Sequence, residues 1–318
     1  MEKTAHRQLL AEIASMYYSE KKTQAIIGKE FGYSRSAISR LLLEAEKQGI
    51  VKITIDFPIQ RDSSLEQRLV SEFGLETAYV IKQRQFDYDQ SLRGVGRLGA
   101  MYLEQHLHSD MVIGIGWGTS VYEVVNSLPY IPLKDVSVVQ VIGAIGSKSD
   151  TKIDGPEIAS FFASKLDASY QSLHSPLYLN SKKACDSLKS QKQILDTFKL
   201  AYKSDMVLLG VGTIDVDSRF SSLFRSGFIN EREVNEIKRK GGVCNFCGII
   251  LDEKGSIMDI DMNHRSMAVD IKSLKNNKCK VIGIAAGYEK REAIRAILNG
   301  GWLDILVTDQ NAIFPIMN

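Results

Sequence analysis

Cysteine is scarce in this chain. The four present, Cys185, Cys244, Cys247 and Cys279, form no disulfide framework. Cys244-Asn-Phe-Cys247 has CxxC spacing, but no second pair or neighbouring histidine completes a zinc site, and the strand-like run from Val243 to Leu251 points to buried thiols. Long apolar runs are missing, so no membrane span is expected. Met1 to Arg7 lacks a signal-peptide core, so a cytoplasmic location is expected. Charge of one sign is missing too: 40 Lys/Arg against 38 Asp/Glu leave a net +2, which excludes a polycation. The five histidines are scattered at 6, 106, 108, 174 and 264, and no serine has a nucleophile-elbow context. No catalytic set, metal site or cofactor is expected. Internal repeats and low-complexity segments are also absent.

What is present is an uneven distribution. At 318 residues the chain has room for two domains or more. Residues 1–61 carry 10 Lys/Arg and 7 Asp/Glu, so the slight positive balance sits at the N-terminus. There Thr23 to Gly49 reads as two helical patterns broken by Phe31-Gly32-Tyr33. In the first, Ala25, Ile26 and Ile27 precede a glycine able to take the left-handed turn conformation. The second starts at Ser34, a good N-cap, and places Ala37, Ile38, Leu41 and Leu42 on one apolar face. Its opposite face carries Arg35, Ser36, Ser39 and Arg40. Short donors and forked cations on the second of two helices are what a major-groove reader needs, so a helix-turn-helix and a double-stranded DNA partner are expected. Gln24 would meet a phosphate at the start of its helix. The alternative is an αα-hairpin with a solvated polar face. Leu9, Leu10, Ile13, Ala14 and Tyr17 give a preceding helix one buried stripe, completing a three-helix unit.

Ile50 to Ile55 alternates like a short strand, and Pro58 with Arg61-Asp62-Ser63-Ser64 reads as a hinge. A helix at 64–73 could belong to either side of it. The expected division is 1–57 for the DNA-binding domain, 58–75 for a linker and helix, and 76–318 for a second domain. In that domain strand-like runs at 78–81, 111–115, 136–142, 206–211, 243–251, 281–285 and 305–308 alternate with helices at 91–107, 119–127, 155–166, 181–200, 231–239 and 288–299. Such alternation means parallel strands with crossover helices, a doubly wound α/β domain that binds ligands at the carboxyl ends of its strands.

Glycine-bearing turns follow several of these strands. Gly114-Ile115-Gly116-Trp117-Gly118-Thr119-Ser120 opens a helix whose free N–H groups would favour an anion, although it lacks the lysine of a P-loop. Gly143-Ala144-Ile145-Gly146-Ser147 and Gly210-Val211-Gly212-Thr213 end two more strands, and three such turns on one sheet edge suggest a pocket. Lys290, in a first helical turn where the macrodipole disfavours a cation, would want an anionic partner, or else a neighbouring Glu289 or Glu292.

Taken in order, Tyr17-Tyr18, Thr23-Gln24, Ser39-Arg40-Leu41-Leu42, Gly49-Ile50, Gly116-Trp117-Gly118, Gly210-Val211-Gly212, Arg225-Ser226-Gly227, Glu289-Lys290 and Val307-Thr308-Asp309-Gln310 resemble the SorC-type sugar-responsive bacterial transcriptional regulators, the group with the deoxyribonucleoside and central-glycolytic repressors. The resemblance spans nearly the whole chain. It implies an N-terminal helix-turn-helix and a C-terminal domain similar to ribose-phosphate isomerase and glucosamine-phosphate deaminase, retained as a sensor. It also implies a sugar or phosphosugar effector and a homotetramer. Carried over, the effector contacts come from Gly116, Gly118, Thr119, Ser120, Gly143, Gly146 and Lys290. Asn245 stands where many relatives carry an aspartate facing the sugar, and Ile142 where the deoxyribonucleoside branch has a lysine that bonds its sugar covalently, so no Schiff base is expected at that position. Ala286 replaces a common glycine and narrows its turn. The competing reading is an isomerase or deaminase on the same fold, for which only Asp309 offers an acidic residue at a strand end.

Overall fold

A computed structural model describes residues 2–51, 59–82, 87–146, 151–217 and 220–317, in two compact units, Met1–Pro58 and Ile59–Asn318. The strand expected at 50–55 falls mostly outside the described residues, as do Pro58 and Ser147.

The first unit consists of α1 (Glu2–Tyr18), α2 (Gln24–Phe31) and α3 (Arg35–Lys47). Thr23 and Ser34 start the second and third helices, their hydroxyls accepting from the amides of Ile26 and Ala37. Gly32, at φ 70°, takes the left-handed conformation that ends α2. Gly28 instead is helical, and a Cβ there would come within 2.5 Å of the Tyr33 carbonyl oxygen. Leu10, Ile13, Ile27 and Ile38 are wholly buried and form the centre of this unit, joined by Leu42 and Ala45. Of the Ala25-Ile26-Ile27 trio only Ile27 is core; Ile26 is half exposed. So small a core is marginal. Ile38→Ala is expected to cost about 2–4 kcal/mol and to melt this unit while the second unit stays folded. Loss of the second unit's thermal transition as well would contradict that independence.

The second unit opens with α4 (Ser63–Phe73), β1 (Thr77–Ile81), α5 (Tyr88–His106), β2 (Val112–Ile115), α6 (Thr119–Ser127), β3 (Ser137–Gln140), α7 (Gly155–Leu166) and β4 (Ser169–Gln171). There follow α8 (Lys182–Lys189), α9 (Lys192–Ala201), β5 (Met206–Thr213), α10 (Ser222–Ser226), α11 (Glu231–Arg239), β6 (Gly242–Phe246) and β7 (Ile249–Asp252). The chain closes with α12 (Asp261–His264), α13 (Ile271–Asn276), β8 (Lys280–Ile284), α14 (Arg291–Asn299), β9 (Ile305–Asp309) and α15 (Gln310–Met317). Seven parallel strands lie in the order β4-β3-β2-β5-β8-β9-β1. From β2 the chain winds out through β3 to β4, then returns to the other side of β2 as β5. The winding therefore reverses between β2 and β5, where a crevice opens at the carboxyl ends.

Four details depart from expectation. The run at 243–251 is a hairpin, not one strand: Cys247 (φ 49°) and Gly248 (φ 71°) make a two-residue turn with both φ positive, and β6 pairs antiparallel with the end of β5. The helix expected at 181–200 breaks between α8 and α9. β4 carries no strand signal in the sequence, because Ser-Tyr-Gln has no apolar alternation, and its side chains are exposed. Finally, no hinge lies at 61–64. Arg61 bridges Ile81 on the outer edge of β1, and the Asp62 amide donates to the Val80 carbonyl at 2.8 Å. The Arg61 guanidinium forks onto Glu66 with two 2.8 Å bonds and lies 4.1 Å over the Tyr79 ring. The first residues after the N-terminal unit are thus pinned to the sheet, and α4 belongs to the second unit.

Candidate functional site

On α3 the charges are sorted by face. Glu44 reaches His6 at 2.9 Å and Glu46 accepts from the Tyr18 hydroxyl at 2.7 Å, so both acids are turned toward α1. Arg35, Ser36 and Arg40 are exposed and Ser39 half-buried, and neither arginine forms an ion pair among the described residues. Ser34 is occupied in part: its hydroxyl caps Ala37 and lies 3.0 Å from that of Ser36. Gln24, half-buried, is the first residue of α2. The result is an outward face of two unpaired guanidinium groups and short hydroxyls, suited to phosphate and base edges.

In the second unit a narrow cleft, partly open to solvent, sits at the crevice between β2 and β5. Its floor is the head of α6. Gly118 starts that helix at φ 114°, ψ 168°, a conformation closed to side chains, and donates its own amide to the Ile153 carbonyl. The next amides, those of Thr119, Ser120 and Val121, precede the first intrahelical bond, from Tyr122 to Gly118. They carry the positive end of the helix dipole into the cleft, with the buried Ser120 hydroxyl beside them. Tyr88 closes over this point. Its hydroxyl hydrogen-bonds Thr119, and its ring meets Phe220 edge to face at 5.1 Å.

Across from α6 stands Lys290. It is only 6% exposed, and its Nζ donates to the Phe220 carbonyl at 2.6 Å, with no ion pair among the described residues. Desolvation pushes the pKa of the ammonium down to about 8, and the nearby Arg225 adds to the effect. Arg225 itself donates to the Ser222 hydroxyl at 3.1 Å. The loop that carries Lys290 is fixed by Asp309, whose carboxylate accepts from Gly287 at 2.5 Å and from Ala312 at 3.0 Å. This buried acid, its pKa raised by desolvation, is occupied as a cap and clamp; it is not a poised base.

Of the expected effector residues, Gly118, Thr119, Ser120, Asn245 and Lys290 line the cleft together. Gly116, Gly143 and Gly146 do not. Gly116 donates to the Leu208 carbonyl. Gly143 donates to Met267 and accepts from the Trp117 indole at 2.9 Å, and Gly146 donates to Asp154 at 3.0 Å. Their three amides and the Gly143 carbonyl are thus engaged in fastening the loops. Ile142, just before the turn at Gly143, does line the cleft. The 210–213 turn, expected to contribute to a pocket, lines the cleft with Trp117, whereas Phe220, Ser222 and Leu223 are lining residues that sequence reasoning misses. Cys244 and Cys247 are fully buried, their thiol pKa values pushed up by desolvation, and no cluster suited to a metal exists among the described residues.

Residues 58–318 match the family described as "Putative sugar-binding domain". Over nearly its whole length the chain is similar to the deoxyribonucleoside regulator of Bacillus subtilis (strain 168), 27% identical over 312 residues and covering 98% of each chain. It is 28% identical over 317 residues to the sorbitol operon regulator of Klebsiella pneumoniae, again covering 98% of each. The crystal structure of the full-length sorbitol operon regulator SorC from K. pneumoniae matches with a TM-score of 0.73 at 26% identity, covering 98% of this chain and 99% of that one. These relatives are regulators, and the isomerase or deaminase alternative is set aside. The chain belongs to the SorC-type family of sugar-binding transcriptional regulators.

Proposed function

We propose that α3 reads operator DNA as the second helix of a helix-turn-helix, and that a phosphorylated sugar in the cleft sets the affinity of that contact. Arg35, Ser36, Ser39 and Arg40 would meet bases and phosphates, with Ser34 and Gln24 flanking them. The observation that carries the effector reading is Lys290. A desolvated cation with no carboxylate partner among the described residues, lining one cleft with Thr119 and Ser120, is the complement of a phosphate group. Asn245, on the hairpin wall, would take a sugar hydroxyl. One three-helix unit offers too little area for specific binding alone, which supports assembly into a homo-oligomer, a tetramer as in the family, on two or more half-sites in the cytoplasm.

A route from cleft to linker supports the coupling. Gly287, three residues before Lys290, is held by Asp309. Asp309 is in register with Ile81 of β1, and Ile81 bridges Arg61. A ligand that shifts Lys290 thereby acts on the strand edge where the linker is tied. Thermal-shift screening with phosphorylated and free sugars tests the effector reading, because a ligand of the folded state raises Tm with its affinity. A rise with a phosphosugar is expected. A rise with only free sugars or polyols would overturn the phosphate contact.

A further inference from the structure

Asn245 lines the cleft from β6, yet an asparagine side chain can present either of two opposite faces, an oxygen that accepts or an NH2 that donates. Its neighbours settle which. Tyr178 is buried, and its hydroxyl donates to the Gly248 carbonyl at 3.0 Å. A carbonyl can only accept, so the single phenolic proton is committed there. The Tyr178 oxygen is then left as an acceptor, and it takes a hydrogen from Asn245 Nδ2 at 3.2 Å. The opposite orientation would set two acceptors against each other. Asn245 Oδ1 therefore turns away from Tyr178. It has no partner in the protein among the described residues, yet it is not one of the sealed polar atoms. On its side lies Gly212, paired with Asn245 across β5 and β6 and itself a cleft residue; a Cβ at 212 would stand 3.6 Å from Oδ1. The missing side chain leaves the oxygen reachable.

The clamp is rigid. Tyr178 bridges Ser266, the amides of Leu177 and Leu179 donate to Ala144 and Arg265, and the ring meets Phe228 edge to face at 5.5 Å. Desolvation raises the phenol well above its ordinary value, so it keeps its proton at any working pH.

We infer that Tyr178 is a positioning residue that locks the Asn245 amide with its oxygen toward the cleft, so that the site selects ligands able to donate a hydroxyl there. The inference rests on the reading of the cleft as the effector site and adds the polarity of one contact. It names a ligand class: polyhydroxylated phosphates whose recognised oxygen bears a hydrogen, as against their deoxy, fluoro or O-methyl counterparts.

The test uses the full-length protein with ribose 5-phosphate, glucose 6-phosphate and fructose 6-phosphate. Each is compared with analogues lacking one hydroxyl at a time, and inorganic phosphate serves as a reference for the anion contact alone. The wild type should prefer at least one parent sugar over one deoxy analogue by about tenfold or more. Asn245→Leu should remove that preference. Tyr178→Phe, which frees the amide to turn, should shrink it several-fold, and neither variant should change the affinity for inorganic phosphate. A purely structural Tyr178 would lower all affinities together and leave the ratio alone. Preference retained in both variants, or no preference in a wild type that binds the sugars, overturns the inference and leaves the cleft reading standing. Binding of neither the sugars nor phosphate overturns the cleft reading itself.

Discussion

Lys290→Met is expected to raise the melting temperature of the ligand-free protein and to abolish its response to anionic sugars. The two effects have one cause. Lys290 is buried, and desolvation lowers the pKa of its ammonium from the ordinary 10.5 to about 8. Between those values the unfolded chain holds the proton and the folded chain does not, so stability rises with pH across that window. Below it the folded protein carries the whole penalty, on the order of 1.4 kcal/mol for each pH unit that the window spans. Methionine has a similar length and no charge to desolvate, so the penalty disappears. A bound phosphate works in the opposite direction by stabilising the ammonium. Affinity for a sugar phosphate should therefore hold near neutral pH and fall by about tenfold per pH unit above pH 8, as binding comes to require uptake of a proton. Tm measured from pH 7 to 10 with and without glucose 6-phosphate checks both signs. A variant that melts lower than wild type and still responds to the phosphosugar would contradict the assignment.

Arg40→Ala should weaken operator binding strongly while leaving the fold and the sugar response unchanged. Arg40 is exposed on α3, away from the face that packs Ile38 and Leu42, so its removal opens no cavity. A guanidinium bidentate to a guanine edge contributes about 1–3 kcal/mol of discrimination, and a phosphate contact weakens all sequences alike and lowers the salt slope by about one. With two half-sites the loss doubles, so the Kd for an operator should rise by roughly 10²-fold or more at fixed salt. Titrations at two salt concentrations separate the two roles: a changed slope marks a phosphate contact, and a flattened sequence preference marks a base contact. Unchanged affinity at both would remove Arg40 from the interface.

The first unit is legible in the sequence because its determinants are local. Ser34 caps the helix it begins, Ile38 and Leu42 sit one turn apart, and Gly32 lies where a left-handed residue is needed, all within a few residues. The sheet is legible from its apolar runs, and the head of α6 from a glycine that no side chain can replace at φ 114°. What cannot be read depends on partners far along the chain. Gly143 and Gly146 look like the other strand-end glycines, but Trp117, Met267 and Asp154 take their backbone groups. Tyr178 lies 67 residues from Asn245, and nothing local marks it as the acceptor that orients that amide. The turn at Cys247-Gly248 is hidden by the strand-like residues on both sides of it and by a cysteine at positive φ, an unusual choice for that place.

DNA binding and sugar binding are tested most directly together. A duplex selected from a random-sequence pool by the full-length protein is titrated at fixed salt, with and without the sugar phosphate that raises Tm most. The selected duplex is expected to bind far more tightly than a scrambled one, and the sugar phosphate to change this affinity by about fivefold or more. By linkage the DNA must change the sugar affinity by the same factor. A sugar that stabilises the protein yet leaves the DNA affinity unchanged, or a pool from which no sequence is enriched, would contradict a sugar-controlled DNA-binding regulator.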